Sequence, residues 1–512
     1  MPVHDRVKRH AQRHPQSSAV SIDGQTLSWL ALWQHSQALY QHINRQGLAN
    51  RTVAIATGNV IAFPVVWLAA TAQPFTAAIV DPQWPAEQLR DVLTRLEPGL
   101  LLLNQQDWAL IALADALSIR WLAVDRWLAV DRWLESDAVA PVDDEAFCDG
   151  MHDDTPFLIN FTSGTTSLPK AFIRSRRSWR SSFENGEAIF QLEDAPSTLY
   201  PGPLSHGIGL YCLNETLYAG GCFYSPGRWQ PAAALALTVE RQIQRLVVVP
   251  TMIAGFFRAA GESNQYPGLR SLLSAGAKLE LNHYRQARQL FPAAQIQEYY
   301  GASELGFIAV STLDDADVGE SLASVGRAFP GTTLSIRDDN GDPVAVGQPG
   351  WIFIDSEQIA DRYLWGDDGS AFKKYPWGAT VSDIGYLDER DNLHIIGRRG
   401  NMIVSGGNNI YLSEIESVIK SLTGTVEAVV IAIDDEYLGK KIVAIIEAED
   451  DVVASLPQLC REKLPKYKLP RHYYRIRRWP LTPGGKIKRA ALEKRIVNND
   501  SATDLTELSA GR

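Results

Sequence analysis

The chain has 512 residues, 45% of them hydrophobic and 21% charged, which is ordinary for a soluble protein with two or more domains. Its net charge of −10 excludes the basic surface expected of a nucleic-acid binder. The cysteines, Cys148, Cys212, Cys222 and Cys460, form no C-x-x-C pair, so neither a zinc site nor a disulfide framework is expected, and a reducing, cytoplasmic home fits.

The first residues, MPVHDRVKRHAQRHP, are basic and lack the apolar stretch of a secretory signal. Leu30, Leu32, Trp33, Leu39 and Ile43 recur at near-helical spacing and predict a helix over 28–47. A strand at 53–56, a helix through Trp67, a strand at 77–80 ending in Asp81-Pro82, a helix at 89–96 and a strand at 100–103 follow. This alternation predicts an α/β layered core. The longest apolar run, 60–72, contains Pro64 and falls short of the roughly 20 residues that cross a bilayer, so no integral membrane protein is expected. At 120–134 the hexapeptide RWLAVD occurs twice in tandem and RWL a third time. The repeat is too short and too few for a solenoid and reads as a local duplication before the acidic stretch 137–145.

A buried strand at 156–161 runs into FTSGTTSLPKA at 161–171. The hydroxyls of Thr162, Ser163, Thr165 and Thr166 can donate to phosphate oxygens, Gly164 permits a positive φ, and Lys170 adds a positive charge. It is not a Walker A loop, and by itself it reads equally as a solvated polar turn. The basic stretch 171–180 after it reads as a solvated helix start, with a phosphate clamp as the alternative. His206 stands where a glycine-rich turn becomes an apolar helix, a structural histidine unless it lines a pocket. A buried strand at 246–250 follows, with Thr251 as expected cap of the next helix.

Strands at 272–277 and 296–304 run into glycine turns carrying Gly276, Ala277, Gly301, Ser303 and Glu304. Ligands bind at such carboxyl ends in α/β sheets. Glu304 is a hard oxygen donor for Mg²⁺, or an acid at a helix N-terminus. Two strands in 381–398 are bracketed by Asp383 and Arg398, suited to ribose and phosphate oxygens or to a plain ion pair. From Arg399 onward the texture changes to a compact α+β unit of about 100 residues. It holds SGGNN at 405–409, a helix at 412–421 with Ser413 as a possible N-cap, and later strands and helices. Pro483-Gly484-Gly485 predicts a tight turn that holds Lys486 on an exposed tip, and 498–512 reads as a frayed tail.

Taken together, these motifs resemble the adenylate-forming superfamily: acyl-CoA synthetases, peptide-synthetase adenylation domains and luciferases. The resemblance spans about residues 10–495, with six motifs in the family's order. It implies a large N-terminal domain (1–397) of layered sheets and helices and a small, mobile α+β C-terminal domain (398–497). Thr162, Ser163, Gly164, Thr165, Thr166 and Lys170 then form the phosphate loop, with Gly276, Ala277, Tyr299, Tyr300, Gly301 and Ser303 also at ATP. Glu304 handles Mg²⁺, Asp383 the ribose, and Arg398 is the family's G-R arginine. Lys486 bridges the substrate carboxylate and ATP, and His206 resembles the histidine near the carboxylate pocket of acyl- and aryl-CoA synthetases. Gly406 and Gly407 belong to the segment presented for the thiol step, and Gly400 is the hinge. Ser167 and Ala171 replace usual glycines, and Val381-Ser382 stands for T-G.

The implied activity is ATP-dependent conversion of a carboxylic acid to acyl-AMP, then thioester formation with coenzyme A. The same first step serves a stand-alone ligase that loads an acyl carrier protein's phosphopantetheine. A nucleotide- or acyl-binding scaffold with lost catalysis is the reading from a different class, and intact Lys486, Glu304, Asp383 and Arg398 argue against it. Amino-acid-activating relatives place an Asp near the start of the helix after Pro203 to hold the α-ammonium; here no acid precedes Glu215, so the resemblance implies an uncharged acyl chain, as in a fatty acid. Ile208, Leu210, Met252, Ile253 and Phe307 are candidate pocket lining or plain core.

Overall fold

Two largely parallel sheets carry the N-terminal part of the chain. In the computed structural model the described residues are 3–125, 147, 154–162, 169–261, 264–367, 369, 372–398, 402–405, 408–423, 427–435, 439–447, 450–482, 485–498 and 505–508. One sheet has seven strands, in the order Arg362–Trp365, Lys170–Ser175, Pro156–Thr162, Thr76–Ile79, Thr52–Ala56, Leu100–Leu103, Trp121–Ala123. The other has nine and centres on the parallel strands Gln295–Ala302, Ser271–Ser274, Arg245–Val248, Thr198–Leu199 and Phe223–Ser225.

The helices Ala62–Thr71, Arg176–Glu187 and Gly207–Ala219 lie between the two sheets. One buried cluster joins Trp67, Trp179, Phe183 and Leu213 to Val53 and Leu158 of one sheet and Val247 and Leu273 of the other. The apolar run seen in the sequence is therefore an interior helix: every residue of Ala62–Thr71 is buried, so it is apolar all round. Separate clusters cover the outer faces, Leu89, Leu93 and Leu110 on the seven-stranded sheet and Met252, Phe256 and Leu290 on the nine-stranded one. Parallel strands covered on both faces account for the unbroken runs LLLL and RLVV. Among the described residues no helix is long and apolar enough to cross a membrane.

A six-stranded sheet, built around Gly350–Asp355 and the hairpin of Asp383–Leu387 with Leu393–Arg398, closes this part. Beyond it lies a small α+β unit. Its four-stranded sheet pairs Ala428–Asp435, Gly439–Ile446, His472–Ile476 and Leu505–Leu508, backed by the helices Leu412–Thr423, Asp450–Lys463 and Arg489–Val497.

Several sequence expectations need correction. Residues 505–508, assigned to a frayed tail, form an edge strand with Leu505 opposite Ile476. The basic stretch after the phosphate loop is not solvated at its centre: Arg174 and Arg176 are buried, because their guanidinium groups satisfy backbone carbonyls of neighbouring segments. Thr251 does not cap its helix. Pro250–Ala260 starts one residue earlier with no side-chain cap, and the Thr251 hydroxyl is turned to another partner. Ser413 is inside the helix Leu412–Thr423, and its Oγ donates to the Ile396 carbonyl at 2.7 Å. The first RWLAVD copy supplies the edge strand Trp121–Ala123, and the rest of the duplication lies outside the described residues.

Candidate active site

Glu304 sits in a β-hairpin turn, not at a helix N-terminus. The strands Gln295–Ala302 and Gly306–Leu313 pair antiparallel around it, with a register shift at Tyr300/Gly301. The turn is tight enough that a Cβ on Gly301 would lie 2.6 Å from the Gly306 carbonyl oxygen. The Tyr363 hydroxyl donates to Glu304 Oε1 and also hydrogen-bonds Thr162. Burial first, and then the adjacent Glu304 charge, raise the Tyr363 pKa, so the phenol stays protonated. Tyr363 thereby ties the candidate metal acid to the mouth of the phosphate loop.

That loop joins two neighbouring antiparallel strands, with Thr162 opposite Lys170. Ser163, Gly164, Thr165, Thr166 and Ser167 lie outside the described residues. The strand Arg362–Trp365 clamps the loop's exit. Trp365 Nε1 donates to the Pro169 carbonyl at 2.9 Å, and the Lys170 stem lies against Gly366, where a Cβ would come within 2.9 Å of Lys170 Cγ.

Asp383 is buried at the start of its strand and accepts the Tyr300 hydroxyl. Arg398 stands directly across the antiparallel pair from it, and the Arg398 side chain lies outside the described residues. Ser382, where the family resemblance calls for glycine, holds φ at +67°, the left-handed region that glycine enters without strain. Its N–H donates to Thr380 Oγ1 at 3.1 Å, which supports the turn that delivers Asp383.

His206 is the N-cap residue of the helix Gly207–Ala219, and no side chain caps that helix. Its Nε2 lies 3.3 Å from Oδ2 of Asp81, a nearly buried carboxylate at the C-terminal end of the strand Thr76–Ile79 that also accepts the Gln83 N–H. A Cβ on Gly207 would lie 3.3 Å from Ser303 Oγ, so the helix start and the glutamate turn adjoin. A Cβ on Gly276, whose φ is +82°, would meet Ile208 Cδ1 at 3.0 Å and Lys486 Cε at 3.5 Å. Lys486 therefore reaches from the C-terminal unit to the carboxyl ends of the N-terminal strands, beside the helix start. Ala277, next to Gly276, is exposed.

Other expected residues are placed elsewhere. Tyr299 faces away from Tyr300, as strand alternation requires, and its ring packs on Phe190 and Phe307 at centroid distances of 5.7 and 5.3 Å. It belongs to the aromatic core and not to the Asp383 face. Leu210, Met252, Ile253 and Phe307 are buried core side chains, and only Ile208 is partly open. Phe307 is enclosed by Phe329, Phe190 and Tyr211, with centroids 5.0, 5.4 and 5.4 Å away. Glu215 is buried and bound to Arg245 at 2.9 Å, so it is not free to hold an ammonium. Gly400, Gly406 and Gly407 lie outside the described residues, the last two between the paired strands Met402–Ser405 and Asn408–Tyr411.

Three contributors escaped sequence reasoning: Asp81, Arg174 and Tyr363. Asp81 had a usable signal, an acid at the end of a predicted strand. Arg174 donates to the Ser303 carbonyl at 2.7 Å and to the Gln358 carbonyl, which fixes the glutamate turn from below. Its partners are about 130 and 180 residues away in the sequence, and no local pattern announces such contacts. Among the described residues no cluster of three or more His, Cys, Asp or Glu could hold a metal alone. Mg²⁺ is commonly bound by one or two carboxylates together with substrate phosphates. Glu304 is the carboxylate that the family resemblance assigns to it.

Similarity to known proteins agrees with this geometry. The AMP-binding enzyme family matches residues 7–364, and the AMP-binding enzyme C-terminal domain matches 414–486. The chain is 30% identical over 471 residues to the uncharacterized acyl–CoA ligase YhfT of Bacillus subtilis, covering 91% of each protein. It is 29% identical over 362 residues to a putative long chain fatty acid–CoA ligase, VraA, of Staphylococcus epidermidis, covering 70% of this chain and 75% of that one. Among solved structures, o-succinylbenzoate CoA synthetase of Bacillus subtilis with its acyl-adenylate superimposes with a TM-score of 0.80 at 23% identity, covering 96% of this chain and 98% of that one. The chain belongs to the AMP-binding enzyme family and is an adenylate-forming ligase of the acyl-CoA synthetase type.

Proposed function

We propose that the protein activates an apolar carboxylic acid, a fatty or similar acid of short or compact shape, as acyl-AMP and passes the acyl group to coenzyme A. The observation that carries this reading is the convergence of Lys486, Gly276 and the uncapped start of the helix Gly207–Ala219. A carboxylate at that helix start would meet the positive end of the helix dipole, where no side chain makes a cap bond. One carboxylate oxygen attacks the α-phosphorus of ATP, the bond to the β-phosphate oxygen breaks, and pyrophosphate leaves. Lys486 would reach both the carboxylate and the α-phosphate oxygens and offset the charge that builds between them. Asp383, steadied by Tyr300, would accept the ribose hydroxyls. Bound at Glu304, Mg²⁺ would neutralise phosphate charge. In the second step the thiol of coenzyme A gives up its proton, its sulfur attacks the acyl carbonyl, and AMP departs.

The acyl preference rests on two features. Glu215 is taken up by Arg245, which leaves no partner there for a substrate ammonium. Behind the helix start the rings of Tyr211, Phe307, Tyr299 and Phe190 pack on one another, which favours short acids over long ones. The staphylococcal relative is named a long chain fatty acid–CoA ligase, which supports the fatty class and not the short length; the length rests on the ring cluster alone. A holo-carrier protein in place of coenzyme A is the second reading, since the first step is shared. Residues 398–497, hinged at Gly400, would turn between steps to bring up Gly406 and Gly407.

The test is pyrophosphate release over acetate, butanoate, hexanoate, palmitate and benzoate, with coenzyme A, with holo-carrier protein and with neither. Release with one or more acids, and a thioester only when coenzyme A is present, is the expected result. Lys486→Ala should abolish adenylation and leave thioester formation from supplied acyl-AMP largely intact. No release with any acid, or equal loss of both half-reactions in the variant, would remove the reading.

A further inference from the structure

We infer that Thr251 is a positioning residue that latches the Lys486 tip onto the N-terminal domain for the adenylation step. This rests on the adenylating role proposed for Lys486. The Thr251 Oγ1 hydroxyl donates to the Gly485 carbonyl at 2.9 Å, across 234 residues of sequence. Thr251 follows Pro250 in the first turn of its helix, and no helix group takes its hydroxyl.

The residues flanking the tip hold one another. Residues 481 and 487 bridge antiparallel, Thr482 N–H donates to the Lys486 carbonyl at 2.7 Å, and Thr482 Oγ1 accepts the Lys486 N–H at 3.0 Å. Gly485, at φ +79°, seats the tip against the helix start, because a Cβ there would come within 3.0 Å of both Thr251 Oγ1 and Val249 Cγ2. Fixing the carbonyl of residue 485 fixes where the next side chain departs, and that side chain is the one beside Gly276. A second contact spans the same interface. Lys420 Nζ bonds Glu427 of its own unit at 2.7 Å and faces Glu280 of the N-terminal part at 3.5 Å.

The two contacts differ in what turning the small unit would do. Lys420 keeps Glu427 in either orientation, so its charge stays compensated. The Thr251–Gly485 bond exists only with the tip docked. It biases the docked orientation and constrains Lys486 within it, without touching substrate. Its removal therefore slows the step that needs Lys486 and spares the step that does not.

Thr251→Val, nearly the same volume without the donor, tests this beside Thr251→Ser and Lys486→Ala. Both half-reactions are measured with the acid that gives most pyrophosphate in the panel above: ATP-dependent pyrophosphate formation, and thioester formation from the preformed acyl-AMP and coenzyme A. Loss of one hydrogen bond predicts a fall of about three- to tenfold in the adenylation kcat of Thr251→Val. Thioester formation should stay within about twofold, and Thr251→Ser should restore adenylation. Wild-type adenylation in Thr251→Val, or a parallel fall in both half-reactions, overturns the latch, provided Lys486→Ala has lost adenylation alone. If Lys486→Ala keeps adenylation, the role of Lys486 fails first. Should Thr251→Val unfold, Thr251→Ala is measured with the same readouts and the same overturning results.

Discussion

Asp81 Oδ2 and His206 Nε2 lie 3.3 Å apart, joining the end of a strand in one sheet to the first turn of the helix between the sheets. The carboxylate is nearly buried and also accepts the Gln83 N–H at 2.9 Å, so it is held in place before any substrate arrives. Its effect is to fix the His206 ring at the start of the helix. Asp81→Asn keeps the turn and weakens that hold. The expected outcome is a severalfold rise in KM for the acid with KM for ATP unchanged, read from pyrophosphate release. An effect on ATP alone would place the pair outside the acid site.

Tyr300 and Asp383 make the pair proposed for the nucleotide. Asp383→Ala removes the acceptor and leaves the Tyr300 hydroxyl without its partner. We expect KM for ATP to rise at least about tenfold, a loss of roughly 1.4 kcal/mol or more of ground-state binding. KM for the acid should change little. Tyr300→Phe should show a smaller shift in the same direction.

Phe307 is the centre of the ring cluster behind the helix start. Phe307→Ala should lower stability by about 3–5 kcal/mol, the usual result of removing a buried ring. The same change opens space toward Tyr211 and Phe190, so relative activity should move toward longer acids across the panel. Stability loss without a shift in chain-length preference would mean that these rings are core and no part of the acid pocket.

Two histidines predict how stability depends on pH. Burial pushes the pKa of His4 from 6.5 down to about 3, against a hydrogen bond from Nε2 to the Leu68 carbonyl. Burial, with Lys420 nearby, brings His283 down to about 4. Above 6.5 both are neutral folded and unfolded, and they add no pH dependence. Below it the unfolded chain takes up protons that the folded one refuses, so stability falls as pH drops toward 4 by about 1.4 kcal/mol per pH unit per group. Denaturant titrations of wild type and His4→Gln should differ in slope by about one proton over that range. Identical slopes would show that His4 does not stay neutral when folded.

Much was legible without coordinates. The runs LLLL and RLVV and the wholly apolar run within 60–72 announce buried parallel strands and an interior helix, because burial on both faces leaves no room for alternation. The order of the motifs placed Glu304, Asp383 and Lys486 in one family of chemistry, since each stands in a local pattern of turn and strand. Local pattern also misled. Thr251 had the residue type of a cap and the position of a latch, and 505–508 had the composition of a tail and the pairing of a strand.

The sequence by itself determined the class of fold and the two-part organisation through periodicity and turn chemistry, and by resemblance its motifs named the residues proposed to meet ATP. Only the tertiary structure decided which side chains serve those residues. Arg174 beneath Ser303, Tyr363 between Thr162 and Glu304, Asp81 behind His206 and Thr251 at Gly485 join segments tens to hundreds of residues apart. The physical reason is that a hydrogen bond depends on where two groups arrive in space, and packing of sheets and helices fixes that arrival over distances that local sequence does not encode.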